Sequence, residues 1–318
     1  MPNRFTVAPR AVTHTFCNFP LALDLDTLDA HVAILGLPYG DPYSMEELTN
    51  DQTNAPTAVR RTSDKAWEGL DSWDFDLGGT VFDGQAIRVV DAGDVPGDPR
   101  DLTAHYRLAE AAVRKILAAG AMPISIGGDH GVSIPVLRAL EDVGPVNLIQ
   151  IDAHLDWRDH LKGTKTGYSS PIRRAAEMPH IDQIFQIGLR CQGSARAKEF
   201  KAATNHGVNL TTAYELHDQG MEKILAQIPD GEKYYLTIDA DGMEPSAMPA
   251  VAYPAPGGVT YVQMHKLIHG LVNKGRLVGM DIVEITPAND VNDLTSITAA
   301  RLITNLIGAA AKAGYFRV

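Results

Sequence analysis

Asp152-Ala-His154-Leu-Asp156 sets three metal-donor side chains at every second position of a short segment. Side chains two apart on an extended strand point to the same side, so the spacing predicts that all three converge. Asp239-Ala-Asp241 repeats the spacing, and a lone imidazole precedes both in Gly127-Gly128-Asp129-His130. Each motif directly follows an apolar run, at residues 123–126, 146–151 and 234–238. Four carboxylates and two imidazoles at the ends of buried strands are destabilising unless they are paired. A two-metal site resolves the conflict. Two divalent cations balance the four aspartates, and a carboxylate-rich site with some imidazole suits Mn²⁺, with Ni²⁺, Co²⁺, Fe²⁺ and Zn²⁺ as competitors. Paired cations depress the pKa of a bound water toward neutrality. The implied reaction is attack of metal-bound hydroxide on an sp² carbon.

Such ligands need a scaffold that brings distant strand ends together. Residues 1–30 read as an irregular arm broken by Pro2, Pro9 and Pro20, and a first strand follows at residues 31–36. Residues 38–85 lack a sustained period and predict long loops with one helix near 57–64. From there strands near 87–90, 123–126, 146–151, 183–189, 234–238 and 277–282 alternate with helices near 102–119, 134–141, 193–202, 221–227, 262–273 and 295–311. Strands separated by helices predict a mostly parallel sheet covered on both faces. No repeat or low-complexity linker divides the 318 residues, so one domain is expected. In an open α/β sheet the functional crevice lies beyond the carboxyl ends of the strands, where all six candidate ligands fall.

Composition removes several other classes. A net charge of −11 argues against nucleic acid or an anionic membrane as partner. Cys17 and Cys191 belong to no paired metal motif, and a reducing cytoplasm is the default compartment. The first residues carry no secretory pattern, and no apolar run approaches the ~20 residues of a bilayer span.

Taken in order and spacing, four motifs resemble those of the ureohydrolases (arginase, agmatinase and guanidino-acid hydrolases). They are Gly-Gly-Asp-His130, Asp152-Ala-His154-x-Asp156, Asp239-x-Asp241 followed by Glu244-Pro245, and Val283-Glu284 before Pro287. The resemblance runs from about Ile34 to Asn305 and also takes in segments 186–190 and 254–258. It implies a three-layer α/β/α fold, a bridged manganese pair, and hydrolysis of a guanidino carbon to urea plus an amine. By position, one metal takes His130, Asp152, Asp156 and Asp239. The other takes Asp152, His154, Asp239 and Asp241, with Asp152 and Asp239 bridging. Asp156 orients the hydroxide, and Glu284 holds the substrate's guanidinium, since forked N–H donors pair best with a carboxylate. Asp129 is expected to orient His130 or a neighbouring ligand. Trimers or hexamers are implied by the same resemblance.

The chain departs from the agmatinase-like pattern where a substrate would sit. Tyr168-Ser-Ser-Pro-Ile-Arg-Arg174 stands where His-Gly-Thr-Pro-Phe-Arg-Arg is usual, so Tyr168 replaces the histidine that shuttles protons to the leaving amine. A phenol with a reference pKa of ~10 is poorly suited to that cycle near neutrality. His160 is a candidate substitute, with an ordinary loop histidine as the alternative. Tyr253 falls where a small hydroxyl residue would cradle the guanidinium, and the early loop at 40–47 also diverges. Two tyrosines predict a substrate smaller, flatter or less charged than arginine or agmatine, such as a biguanide, guanylurea or a small guanidine, with Ni²⁺ as the alternative metal. Two further readings compete: a catalytically weak metal-binding subunit of a hetero-oligomer, and a deacetylase-like amide hydrolase. Retention of all six ligands opposes the first, and His130 with Asp241 opposes the second.

Overall fold

The computed structural model describes residues 9–44, 51–65, 69–97, 101–192 and 195–316. Eight strands build one sheet: β1 (Val32–Leu37), β2 (Val89–Asp94), β3 (Met122–Gly127), β4 (Val146–Ile151), β5 (Ile181–Leu189), β6 (Asn209–Thr212), β7 (Lys233–Asp239) and β8 (Arg276–Val283). Their order is β2-β1-β3-β8-β7-β4-β5-β6, and every pairing between them is parallel. All eight carboxyl ends therefore face one edge.

Nine α-helices accompany the sheet among the described residues: α1 (Ala55–Ser63), α2 (Leu102–Ala118), α3 (Ser133–Ala139), α4 (Pro171–Ala175), α5 (Ala197–His206), α6 (Ala213–Gln219), α7 (Met221–Leu225), α8 (Tyr261–Lys274) and α9 (Leu294–Lys312). Strand alternation divides the core in two. Val32 and Ile34 of β1 pack in one apolar cluster with residues of α1, α8 and α9. Ala33 and Leu35 pack in the other, with residues of α2, α3 and α5. Strands buried on both faces read as unbroken apolar runs, and this gives the three-layer α/β/α arrangement.

Several elements differ from the sequence expectation. β6, α4 and α6 were not predicted, being short and, in β6, partly exposed at the sheet edge. The helix expected at 193–202 begins at Ala197, and residues 193 and 194 lie outside the described residues, as do residues 45–47 of the divergent early loop. The described part of the N-terminal arm holds two short 3₁₀ turns, Phe16–Asn18 and Leu25–Thr27. It bridges β2 through Arg10 with Asp94 and Leu21 with Asp91. Against the expectation of no such run, α9 is as long and apolar as a membrane span. It is nevertheless 83% buried, a core helix packed between α1 and α8.

Candidate metal centre

Four adjacent central strands, β3-β8-β7-β4, deliver the polar cluster from their carboxyl ends. His130 follows β3, Glu284 follows β8, Asp239 closes β7, and Asp152 follows β4. Register keeps them level, because Ile151 pairs with Ile238 and Asp239 with Val283. Convergence does not come from strand alternation, as the spacing had predicted. β4 stops at Ile151, Asp156 adopts a left-handed backbone with φ of 50°, and residues 240–242 form a 3₁₀ turn. Glu284 is also left-handed, with φ of 64°. Such backbone is disfavoured for residues with a Cβ and gathers at functional sites. Gly242 lets the β7 turn approach β4: a Cβ there would meet the Asp152 nitrogen at 2.6 Å.

Two groups of donors form. In the first, His130 Nδ1 lies 3.3 Å from Asp152 Oδ2, 3.0 Å from Asp156 Oδ2 and 3.2 Å from Asp239 Oδ2. In the second, His154 Nδ1 lies 3.4 Å from Asp152 Oδ1 and 3.1 Å from Asp241 Oδ2. Two donors each about 2.1 Å from an ion at right angles sit about 3 Å apart, so the spacing is that of ligands around a common centre. His130 Nδ1 is buried and makes no directed hydrogen bond. Its other nitrogen, Nε2, lies 3.0 Å from Thr237 Oγ1, whose hydroxyl donates to Asp281 Oδ1 at 2.5 Å. That relay assigns a proton to Nε2, so Nδ1 is the ring nitrogen that faces the cluster and would give up its proton to a metal. These donors fit a pair of divalent ions. Only Asp152 belongs to both groups, one oxygen facing each imidazole. Asp239 was expected to bridge as well, but it joins the His130 group, while its Oδ1 accepts the Asp241 N–H at 2.9 Å.

Supporting residues absent from the sequence reading surround the ligands. Gln150 Nε2 donates to Asp152 Oδ2 at 2.6 Å, and Gln186 donates to Gln150 Oε1 and to the Leu155 carbonyl. A polar residue two before Asp152 inside an apolar strand was the available signal. Tyr235 holds the far side of Asp281 at 2.7 Å. Asp129 caps the turn after β3 by accepting the Gly131 N–H at 2.8 Å; the His130 ring is oriented by Thr237 instead. Arg190 donates to the carbonyls of Asp241, Gly242 and Met243 and to those of Ala255 and Pro256.

Without cations the cluster holds protons. Burial opposes charge on His130 and His154, yet the adjacent carboxylates outweigh it, taking His130 well above its ordinary value and His154 to about 12. Burial, then the charge of Asp152, pushes Asp156 up to about 7. Burial followed by Asp241 and Asp152 raises Asp239. Asp152 moves the other way, because its two imidazole partners overcome its burial. Metal ligation replaces these protons.

Above the cluster opens a cavity of about 310 Å³. His154, Asp156, Asp239, Asp241 and Glu284 form its floor, with Tyr168 and Tyr253 among its walls. Tyr168 packs against Tyr43 with ring centroids 4.8 Å apart, and Tyr43 Oη lies 2.5 Å from Ser169 Oγ. Tyr253 is 75% exposed at the mouth. His160 is not brought to this cavity. It is exposed and borders a separate surface depression with Arg173 and Arg196. Two wall residues went unanticipated, Gln52 and Arg158. Glu284 Oε1 accepts the His130 N–H at 2.7 Å, and its Oε2 accepts from Gln52 Nε2.

Residues 30–308 match the arginase family. Among characterised proteins, the chain is 32% identical over 290 residues to a guanidinobutyrase of Pseudomonas aeruginosa, covering 89% of this chain and 87% of that one. It is 31% identical over 303 residues to an agmatinase of Proteus mirabilis, covering 92% and 91%. The proclavaminate amidino hydrolase of Streptomyces clavuligerus superposes with a TM-score of 0.82 at 27% identity, over 95% of this chain and 98% of that one. With the fold, the donor groups and the sequence match in agreement, the chain belongs to the arginase (ureohydrolase) family.

Proposed function

We propose that the chain is a binuclear metal-dependent hydrolase that releases urea and an amine from a guanidino compound, or a related product from an amidino one. The observation that carries this reading is Asp152, set between two imidazole-carboxylate groups beneath a cavity bordered by Glu284. His130, Asp152, Asp156 and Asp239 would hold one ion, and Asp152, His154 and Asp241 the other. Mn²⁺ suits this donor set best, with Ni²⁺ as the alternative. When bound, the ions supply Lewis acidity, which lets water act as nucleophile near neutral pH.

The protein supplies the rest. Glu284 neutralises and orients the planar cation. Asp156, held from behind by Gln150 at 3.3 Å, orients the attacking water and accepts its proton. Water oxygen bonds to the central carbon, the C–N bond to the leaving group breaks, and the departing nitrogen takes a proton. Tyr168 stands on the cavity wall with a hydroxyl able to relay it.

Tyr168 and Tyr253 add flat surface, which supports compact guanidines, biguanides and guanylurea as members of the panel. The chain acts as one domain over residues 1–318, in the cytoplasm, as a homo-oligomer of trimer or hexamer type.

Loading the purified protein with Mn²⁺ or Ni²⁺ in parallel and following guanidino, biguanide and guanylurea compounds by product mass spectrometry tests this. Urea plus an amine from one compound is expected. No turnover across the panel with two metals measured per chain would overturn it in favour of a non-catalytic subunit.

A further inference from the structure

Gln52 lies in a 3₁₀ turn, Asp51–Asn54, just ahead of α1, in the stretch expected from sequence to be loop. The residue is buried, 8% exposed, and it lines the cavity. One end is fixed, since Nε2 donates to Glu284 Oε2. No N–H or O–H of the described residues reaches its carbonyl oxygen, Oε1, which is not sealed in the protein either. An amide carries its acceptor beside its donor. Where Nε2 meets Glu284, Oε1 therefore stands next to the Glu284 carboxyl group, and the two side chains present adjacent acceptor oxygens. Each Glu284 oxygen receives a single protein N–H and keeps a lone pair for a ligand.

Resting on the guanidino or amidino reading above, we infer that Gln52 is a specificity-determining residue. Its Nε2 sets the Glu284 carboxylate, and its Oε1 accepts an N–H from the terminal amino group of the bound compound. The pair reads one unsubstituted N–H edge. Replacing both hydrogens of that nitrogen by methyls removes the donor and strands Oε1 without a partner, which is the condition under which a polar site discriminates most strongly. A neutral amide also limits the negative charge that the substrate must compensate, in keeping with a monocation.

The test compares each substrate found in the panel with its analogue in which every terminal N–H is replaced by N-methyl (the methylated compound), in the metal-loaded protein and in Gln52→Ala and Gln52→Glu. The native chain is expected to prefer the unsubstituted compound by about tenfold or more in kcat/KM. Gln52→Ala should raise KM for the parent about tenfold, barely move it for the methylated compound, and leave metal content unchanged. Gln52→Glu keeps an acceptor but loses the donor to Glu284. It should retain the preference at lower kcat/KM. An equal loss on both compounds in Gln52→Ala would mean a packing role only and overturn the inference. If nothing is turned over, binding of guanidinium and of hexamethylguanidinium, which carries no N–H, to metal-loaded protein decides by the same ratio. Failure of the hydrolase reading is then separate from failure of the Gln52 assignment. Absence of binding by both ions would overturn the assignment too.

Discussion

The floor and the wall of the cavity are built by different means. The floor comes from the ends of β3, β8, β7 and β4, four neighbours locked in register in a sheet buried on both sides. The wall comes from connections: Gln52 from a 3₁₀ turn, Arg158, Tyr168 and Ser169 from the run after β4, and Tyr253 from the loop before α8. Strand ends have almost no freedom to shift, whereas connections tolerate substitution. On the proposed reading, reaction class resides in the floor and choice of substrate in the wall.

Removing a floor ligand should have the largest effect. Asp152→Ala takes away the one carboxylate common to both donor groups and should abolish turnover together with most bound metal, read by elemental analysis. Full metal content with normal turnover would break the assignment of the floor. Glu284→Gln stands at the boundary of floor and wall. Exchanging a charge-assisted contact for a neutral one should lower kcat/KM about a hundredfold while both metals stay bound, and an unchanged kcat/KM would reject its role with the cation.

Smaller effects sharpen the contrast. Thr237→Val frees the His130 ring and should weaken metal binding about ten- to a hundredfold, measured by chelator competition, with substrate preference unaltered. pH should also distinguish apo from loaded protein. Asp156, raised to about 7, favours the folded apo form while protonated. That contribution is fully present below the ordinary carboxylate pKa of about 4 and is lost as pH rises through about 7. Raised His154 acts in the same sense, its contribution fading as pH rises toward about 12. The gap in Tm between loaded and metal-free protein should therefore widen from pH about 4 to about 7, and a constant gap would contradict the proton-for-metal exchange. Least of all, Tyr168→Phe should leave metal content intact and change kcat by less than about tenfold, since cavity water is a second route for the proton. A large loss would make its hydroxyl the principal donor.

The same division governs what could be read from the sequence. Strands β3, β4 and β7 were legible because burial on both faces turns them into unbroken apolar runs, and each ends in ligands. β6 was not, because Asn209-Leu-Thr-Thr212 is a short, half-exposed edge. Spacing picked out the donor side chains that the structure gathers but gave a mistaken reason for their convergence, which depends on the left-handed Asp156 and the 240–242 turn. Nearness in sequence misled for His160: four residues beyond Asp156, the chain has already carried it to the surface. Thr237 carries no motif, and Gln52 is 232 residues from Glu284. Their roles arise only when the sheet and the turn before α1 are assembled.

Arg190 has a mechanical consequence. One guanidinium grips the backbone beneath Asp241 and, on its other side, the carbonyls of Ala255 and Pro256, two and three residues beyond Tyr253. The loop that bears Tyr253 is thus clamped at its root to the segment that bears Asp241. Residues 252–254 at its tip make none of these bonds, so exchanging them should leave the anchorage in place. Replacing the clamp itself would couple every change of tip to a change of floor, and the separation on which retargeting depends would disappear.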